Sequence, residues 1–127
     1  AHGGGFVLND VEVHDAAVRR FATIARVAVL SVDYRRPPEH RFPAAPDDMD
    51  SALGWLAEQP ELAALPTFAH GDSAGGNLAL VAALRRPDRF AGVVLIYVAL
   101  VGGLSAVFHD PWAILVLAFV FSATCEF

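Results

Sequence analysis

The chain has 127 residues, one cysteine, no lysine and a formal net charge of −5, so at about 100 to 200 residues per domain it holds at most one domain. Its apolar share, counted with Gly and without Tyr, is 61%, against roughly 45–50% in an ordinary soluble domain, and intrinsic disorder is excluded. All nine basic residues are Arg and are mixed with acids, which leaves no basic stripe for phosphates; nucleic acid is not an expected partner.

The apolar surplus is uneven, with 27 hydrophobic residues among the 37 of residues 91–127. Cys125 has no second cysteine for a disulfide or a thiolate metal site. No basic stretch runs into an apolar one at the start, so no signal peptide is expected.

In chain order, Ala1 to Asn9 reads as a glycine-rich loop running into a turn. Asp10 to Ala25 carries Val11, Ala17, Val18, Phe21, Ile24 and Ala25 at helical spacing. Val27 to Tyr34 is rich in β-branched residues and reads as a buried strand. The four prolines in the stretch Arg35 to Pro46 predict an ordered or extended loop without helix. Asp47, Asp48 and Asp50 then open a helix that stops before Pro60, where acids in the first turn complement the helix dipole as caps. A short strand at Thr67 to His70, a helix at Ala74 to Arg85 and an apolar strand at Gly92 to Tyr97 follow. Strands alternating with helices predict an α/β fold, a parallel sheet with flanking helices.

Two motifs carry chemistry: His2-Gly3-Gly4-Gly5-Phe6, and Gly71-Asp72-Ser73-Ala74-Gly75-Gly76 between a predicted strand and a predicted helix. In a G-x-S-x-G strand-to-helix turn the serine hydroxyl is exposed at a strained tip, and glycines are needed where a side chain would strike neighbouring backbone. Ser73 is then the expected nucleophile. The amide of Ala74 faces the place where an acyl oxygen gains charge, and the glycine run brings further amides toward it, Gly3 and Gly4 being the expected donors. His2, Gly5, Gly71, Asp72 and Gly75 support the two motifs. From the chain's composition the serine motif arises by chance about 0.03 times and HGGG about 0.002 times. A purely structural or phosphate-cradling use of the glycines is the competing reading, but neither G-x-x-x-x-G-K-[ST] nor G-x-G-x-x-G occurs.

With these residues the chain resembles the hormone-sensitive-lipase-like branch of the α/β-hydrolases, the HGGG/GDSAG bacterial carboxylesterases. Val11 to Asp15 before Arg19-Arg20, Val32 to Arg35, Pro38 to Ala45 with Asp47-Asp48, Gly71 to Ala79 and Val94 to Tyr97 carry the rest of the likeness. The resemblance implies a partial α/β-hydrolase fold and a serine hydrolase that cleaves small-molecule carboxylic esters through an acyl-enzyme. Ser73 would be the nucleophile and Gly3, Gly4 and Ala74 the oxyanion-hole donors. Such chemistry needs no metal and no organic cofactor, and none is expected.

The resemblance covers residues 2 to 97 and stops where Val98-Ala99-Leu100 replaces the family's proline and polar loop, so 1–97 is read as the hydrolase domain and 98–127 as an apolar, helical tail outside it. The family's acid and histidine follow the serine. Here His109 is the only histidine after Ser73, and the one acid between them is Asp88, after a helix expected to run away from the site. His14 and His40 read as structural, His2 as part of the loop and His70 as a packed strand residue. Asp72 reads as a hydrogen-bond partner beside the turn, and Arg35 and Glu39 as ion pairs that hold the proline-rich loop. Without a base the serine is a weak nucleophile, and the fragment is expected to be nearly inactive.

Ala91 to Phe108 has 18 uncharged residues and Pro111 to Cys125 has 15 more, against about 20 for a membrane helix. The tail is read as a shifted reading frame, with a membrane hairpin or the core helices of a variant as alternatives. The expected location is cytoplasmic. The alternative is a non-catalytic membrane-associated or interaction protein, attached only through residues 98–127.

Overall fold

A computed structural model describes residues 1–98 of the chain. Apart from Val98, the apolar tail lies outside the described residues. Helix α1, Val11–Ala25, starts at Asp10, whose Oδ1 accepts the Val13 amide at 3.0 Å, and ends at Arg26 in the left-handed region (φ 54°, ψ 49°). After a long extended stretch come α2 (Ala44–Ala57) and the single turn α3 (Pro60–Ala63). Strand β1 (Phe68–Asp72), helix α4 (Ser73–Arg85), a 3₁₀ turn at Pro87–Arg89 and strand β2 (Gly92–Val98) complete the order. Among the described residues no helix is long and apolar enough to cross a membrane.

β1 and β2 pair in parallel, Phe68 opposite Gly92 and Gly71 opposite Leu95, with one further bridge between Ser73 and Val98. A parallel pair needs a crossover, which α4 supplies. The core lies under α4, where Leu78 and Ala82 meet Met49, Leu53 and Ala45 of α2 and the ring of Tyr34.

Four expectations change. Val27 to Tyr34 is extended but unpaired among the described residues. A β-branched run supplies propensity, but a strand also needs a neighbour for its N–H and C=O groups. Val27, Val29 and Leu30 stay about half exposed, and only Tyr34 is buried. Helix α2 begins inside the proline-rich segment, at Ala44; Pro46 fits there because first-turn amides have no helical partner to lose.

The acids of α2 also do not cap it: the N-cap is Pro43, with no side-chain bond. Asp48 takes the Arg35 side chain (2.7 and 3.0 Å) and the Arg35 amide (2.8 Å). The Arg35 guanidinium holds the Asp48 carboxyl below the ordinary carboxylate range. Asp47 and Asp50 take Arg85 of α4 at 3.1 and 2.9 Å. These acids therefore clamp α2 to the preceding loop and to α4. Glu39 makes no ion pair among the described residues.

Candidate active site

β1 passes into α4 with no intervening residue, Asp72 ending the strand and Ser73 starting the helix. Ser73 absorbs this reversal at φ 52°, a left-handed conformation that costs a non-glycine residue energy. The flanking glycines follow from the same tight turn. A Cβ at Gly71 would strike the Gly75 carbonyl, and one at Gly75 would strike the carbonyls of Ala1 and His2. The HGGG segment thus lies directly on the first turn of α4. That turn leaves its first amides, Ala74 among them, without carbonyl partners at the positive end of the helix.

The loop is held from its base. His2 is 5% exposed, stacks on Tyr34 at 4.3 Å, and its carbonyl accepts the Tyr34 hydroxyl at 2.8 Å. Burial pushes the Tyr34 phenol up to about 12. His2 Nε2 lies 3.4 Å from Arg36 Nη1, and a guanidinium can only donate. Nε2 is therefore the acceptor, and Nδ1 carries the proton that it donates to the Gly3 carbonyl at 2.8 Å. Burial, outweighing that carbonyl, holds His2 below its ordinary value, in keeping with a neutral ring.

One expected oxyanion donor is already engaged: the Gly3 amide donates to Asp72 Oδ1 at 3.1 Å. This corrects the assignment of Gly3, because an amide spent on a carboxylate is not open to an acyl oxygen. Gly4 (φ 131°) and Gly5 (φ 62°) follow, and neither amide donates to another group among the described residues. Gly5, read from sequence as motif support only, thereby offers a free donor beside Gly4.

Asp72 occupies the position expected for a partner beside the turn, and it also meets a histidine read from the sequence as structural. His14 Nε2 of α1 lies 3.7 Å from the same Oδ1, and the His14 ring is 5.6 Å from His2. No sequence signal links positions 14 and 72; the contact exists only after α1 folds back beside β1.

His70 packs edge-on against Phe21 at 4.8 Å, with Nε2 buried and unpartnered. His40 is exposed on the proline-rich loop. Among the described residues no histidine hydrogen-bonds Ser73, and no group of three or more His, Cys, Asp or Glu could hold a metal ion.

His70, like His2, is held below its ordinary value of 6.5, chiefly by burial and then by the Ala1 ammonium. Between the depressed folded value and 6.5 the unfolded chain binds more protons, so stability rises with pH there and is lost as pH falls. Urea melts should give lower stability at pH 5.5 than at 7.5. His70→Gln should show a smaller difference; an unchanged pH slope in that variant would contradict this origin.

A parallel β-α-β turn with a serine at its tip under a glycine-rich loop is the arrangement of α/β-hydrolase folds. The chain belongs to the alpha/beta hydrolase fold family, whose sequence pattern matches residues 1–111. That match continues beyond Tyr97, the expected edge of the likeness. Over 90 residues the chain is 48% identical to esterase LipI of Mycobacterium tuberculosis, covering 68% of this chain and 28% of the relative. Over 94 residues it is 43% identical to the gibberellin receptor GID1 of Oryza sativa subsp. japonica, covering 68% and 27%. The crystal structure of EstE1, a thermophilic carboxylesterase cloned from a metagenomic library, is 42% identical with a TM-score of 0.71, covering 76% of this chain and 35% of that one. The chain thus spans about a quarter to a third of the length of these proteins.

Proposed function

We propose that this chain carries the nucleophile and oxyanion half of a site that hydrolyses small-molecule carboxylic esters. The observation that carries the reading is Ser73, held at φ 52° on the strand-to-helix turn with the HGGG loop seated against Gly75. Ser73 Oγ would attack the ester carbonyl carbon, the bond to the alcohol oxygen would break, and an acyl-serine would form. The amides of Ala74 and Gly4, with Gly5 beside them, would take the charge that develops on the carbonyl oxygen. Gly3 supports them from behind through Asp72.

The hydroxyl proton of Ser73 needs an acceptor and the leaving alcohol needs a donor, roles that a histidine oriented by an acid fills in this chemistry. None of the four described histidines stands in that place, so the 127-residue chain by itself should acylate slowly and turn over hardly at all. Although the family pattern reaches residue 111, residues 98–127 are proposed to take no part in this chemistry.

The likeness to a gibberellin receptor favours a second reading, in which the same fold binds a small molecule without cleaving it. Release of p-nitrophenolate from p-nitrophenyl acetate separates the two. The hydrolytic reading expects slow release that disappears in Ser73→Ala; release that is identical in the two proteins would favour the receptor reading.

A further inference from the structure

Asp72 Oδ1 accepts the Gly3 amide at 3.1 Å, and a Cβ added at Gly3 would overlap the same carboxylate, so loop and carboxylate are in direct contact. The Gly3 carbonyl is pinned separately, by His2 Nδ1–H at 2.8 Å and by Asn9 Nδ2–H at 3.3 Å. In a trans peptide the N–H points opposite to the C=O. Fixing the Gly3 carbonyl therefore fixes the direction of the Gly4 amide on the other side of that peptide plane. Asp72 holds the preceding peptide, so both ends of Gly3 are clamped. Asp72 is itself faced by His14 Nε2 at 3.7 Å.

We propose that Asp72, buttressed by His14, is a positioning residue that anchors Gly3 so that the Gly4 amide is presented to the acyl oxygen. The proposal rests on the acyl-transfer reading and deepens it. Because Asp72 is bonded to Ser73 through the backbone, the side chain that sets the loop moves with the nucleophile. A tilt of the turn would then be passed to the loop. Asp72 touches no reacting atom; its effect is exerted through Gly3.

The test is amide hydrogen exchange on the ¹⁵N-labelled 127-residue chain. In Asp72→Ala the Gly3 amide should exchange about tenfold faster or more, as expected for loss of one hydrogen bond to a charged acceptor, while the Leu78 and Ala79 amides of α4 keep their rates. Asp72→Asn keeps an oxygen acceptor and should return Gly3 to within about threefold of the parent. His14→Gln should shift the Gly3 and Gly4 amide resonances without changing α4. An unchanged Gly3 rate in Asp72→Ala, equal rates in the Ala and Asn variants, or parallel acceleration throughout α4 would each overturn the proposal. The readout involves no ester, so the anchoring result is obtained independently of whether Ser73 proves reactive.

Discussion

The 127-residue chain should hydrolyse p-nitrophenyl acetate about 10⁶-fold more slowly than a complete Ser-His-acid site, the scale of loss when a triad is dismantled. The floor is set by the oxyanion donors and binding, which alone leave about 10³ to 10⁴ over water. The expectation follows from where the titratable groups lie. His2 has both ring nitrogens engaged, by the loop and by Arg36. His14 faces Asp72, His70 faces Phe21, and His40 is exposed. Asp88 sits in the 3₁₀ turn beyond the far end of the 13-residue α4, roughly 20 Å from Ser73 at 1.5 Å per residue. Steady-state assays of the chain and its Ser73→Ala variant give the comparison. A parent rate within about tenfold of a complete site, abolished in Ser73→Ala, would show that a base is present after all.

Replacing Leu78 with Ala should cost about 2–5 kcal/mol of folding stability. Leu78 is 2% exposed and joins α4 to Met49 and Leu53 of α2 and to Tyr34, so truncation opens a cavity where these three segments meet. Against the roughly 5–15 kcal/mol of a whole domain this is a large share. Leu84, on the same helix and 72% exposed, provides the control: Leu84→Ala should change stability by no more than about 0.5 kcal/mol. Urea unfolding followed by circular dichroism measures both, and equal costs at the two positions would contradict the core assignment.

Much of this was legible in the sequence because it is written locally. Alternating periodicities gave the β-α-β unit, and Gly71-x-Ser73-x-Gly75 gave the turn, since close backbone approach demands glycine wherever the fold places it. The missed features depend on residues far apart in the chain. Asp47, Asp48 and Asp50 satisfy a capping rule by position, yet their partners Arg35 and Arg85 lie on other elements and compete more strongly than the helix end. Val27 to Tyr34 has strand propensity, but pairing is decided by neighbours. Which glycine amide stays free could not be read from HGGG itself, because the group that engages Gly3 is 69 residues away. The family resemblance, carried by residues 2 to 97, anticipated the family, and it placed among the expected donors Gly3, whose amide Asp72 engages.

The central proposal, that Ser73 is poised for acylation while no base among the described residues completes the cycle, is tested most directly by mass spectrometry of the chain after incubation with p-nitrophenyl acetate. The chain contains no lysine, so side-chain amines do not compete for the acetyl group. One acetyl group should accumulate slowly on Ser73 and persist, since deacylation also needs a base, and it should be absent from Ser73→Ala. Acetylation of Ser31 or Ser51 as fast as Ser73, or rapid turnover without any acyl-serine, would contradict the account.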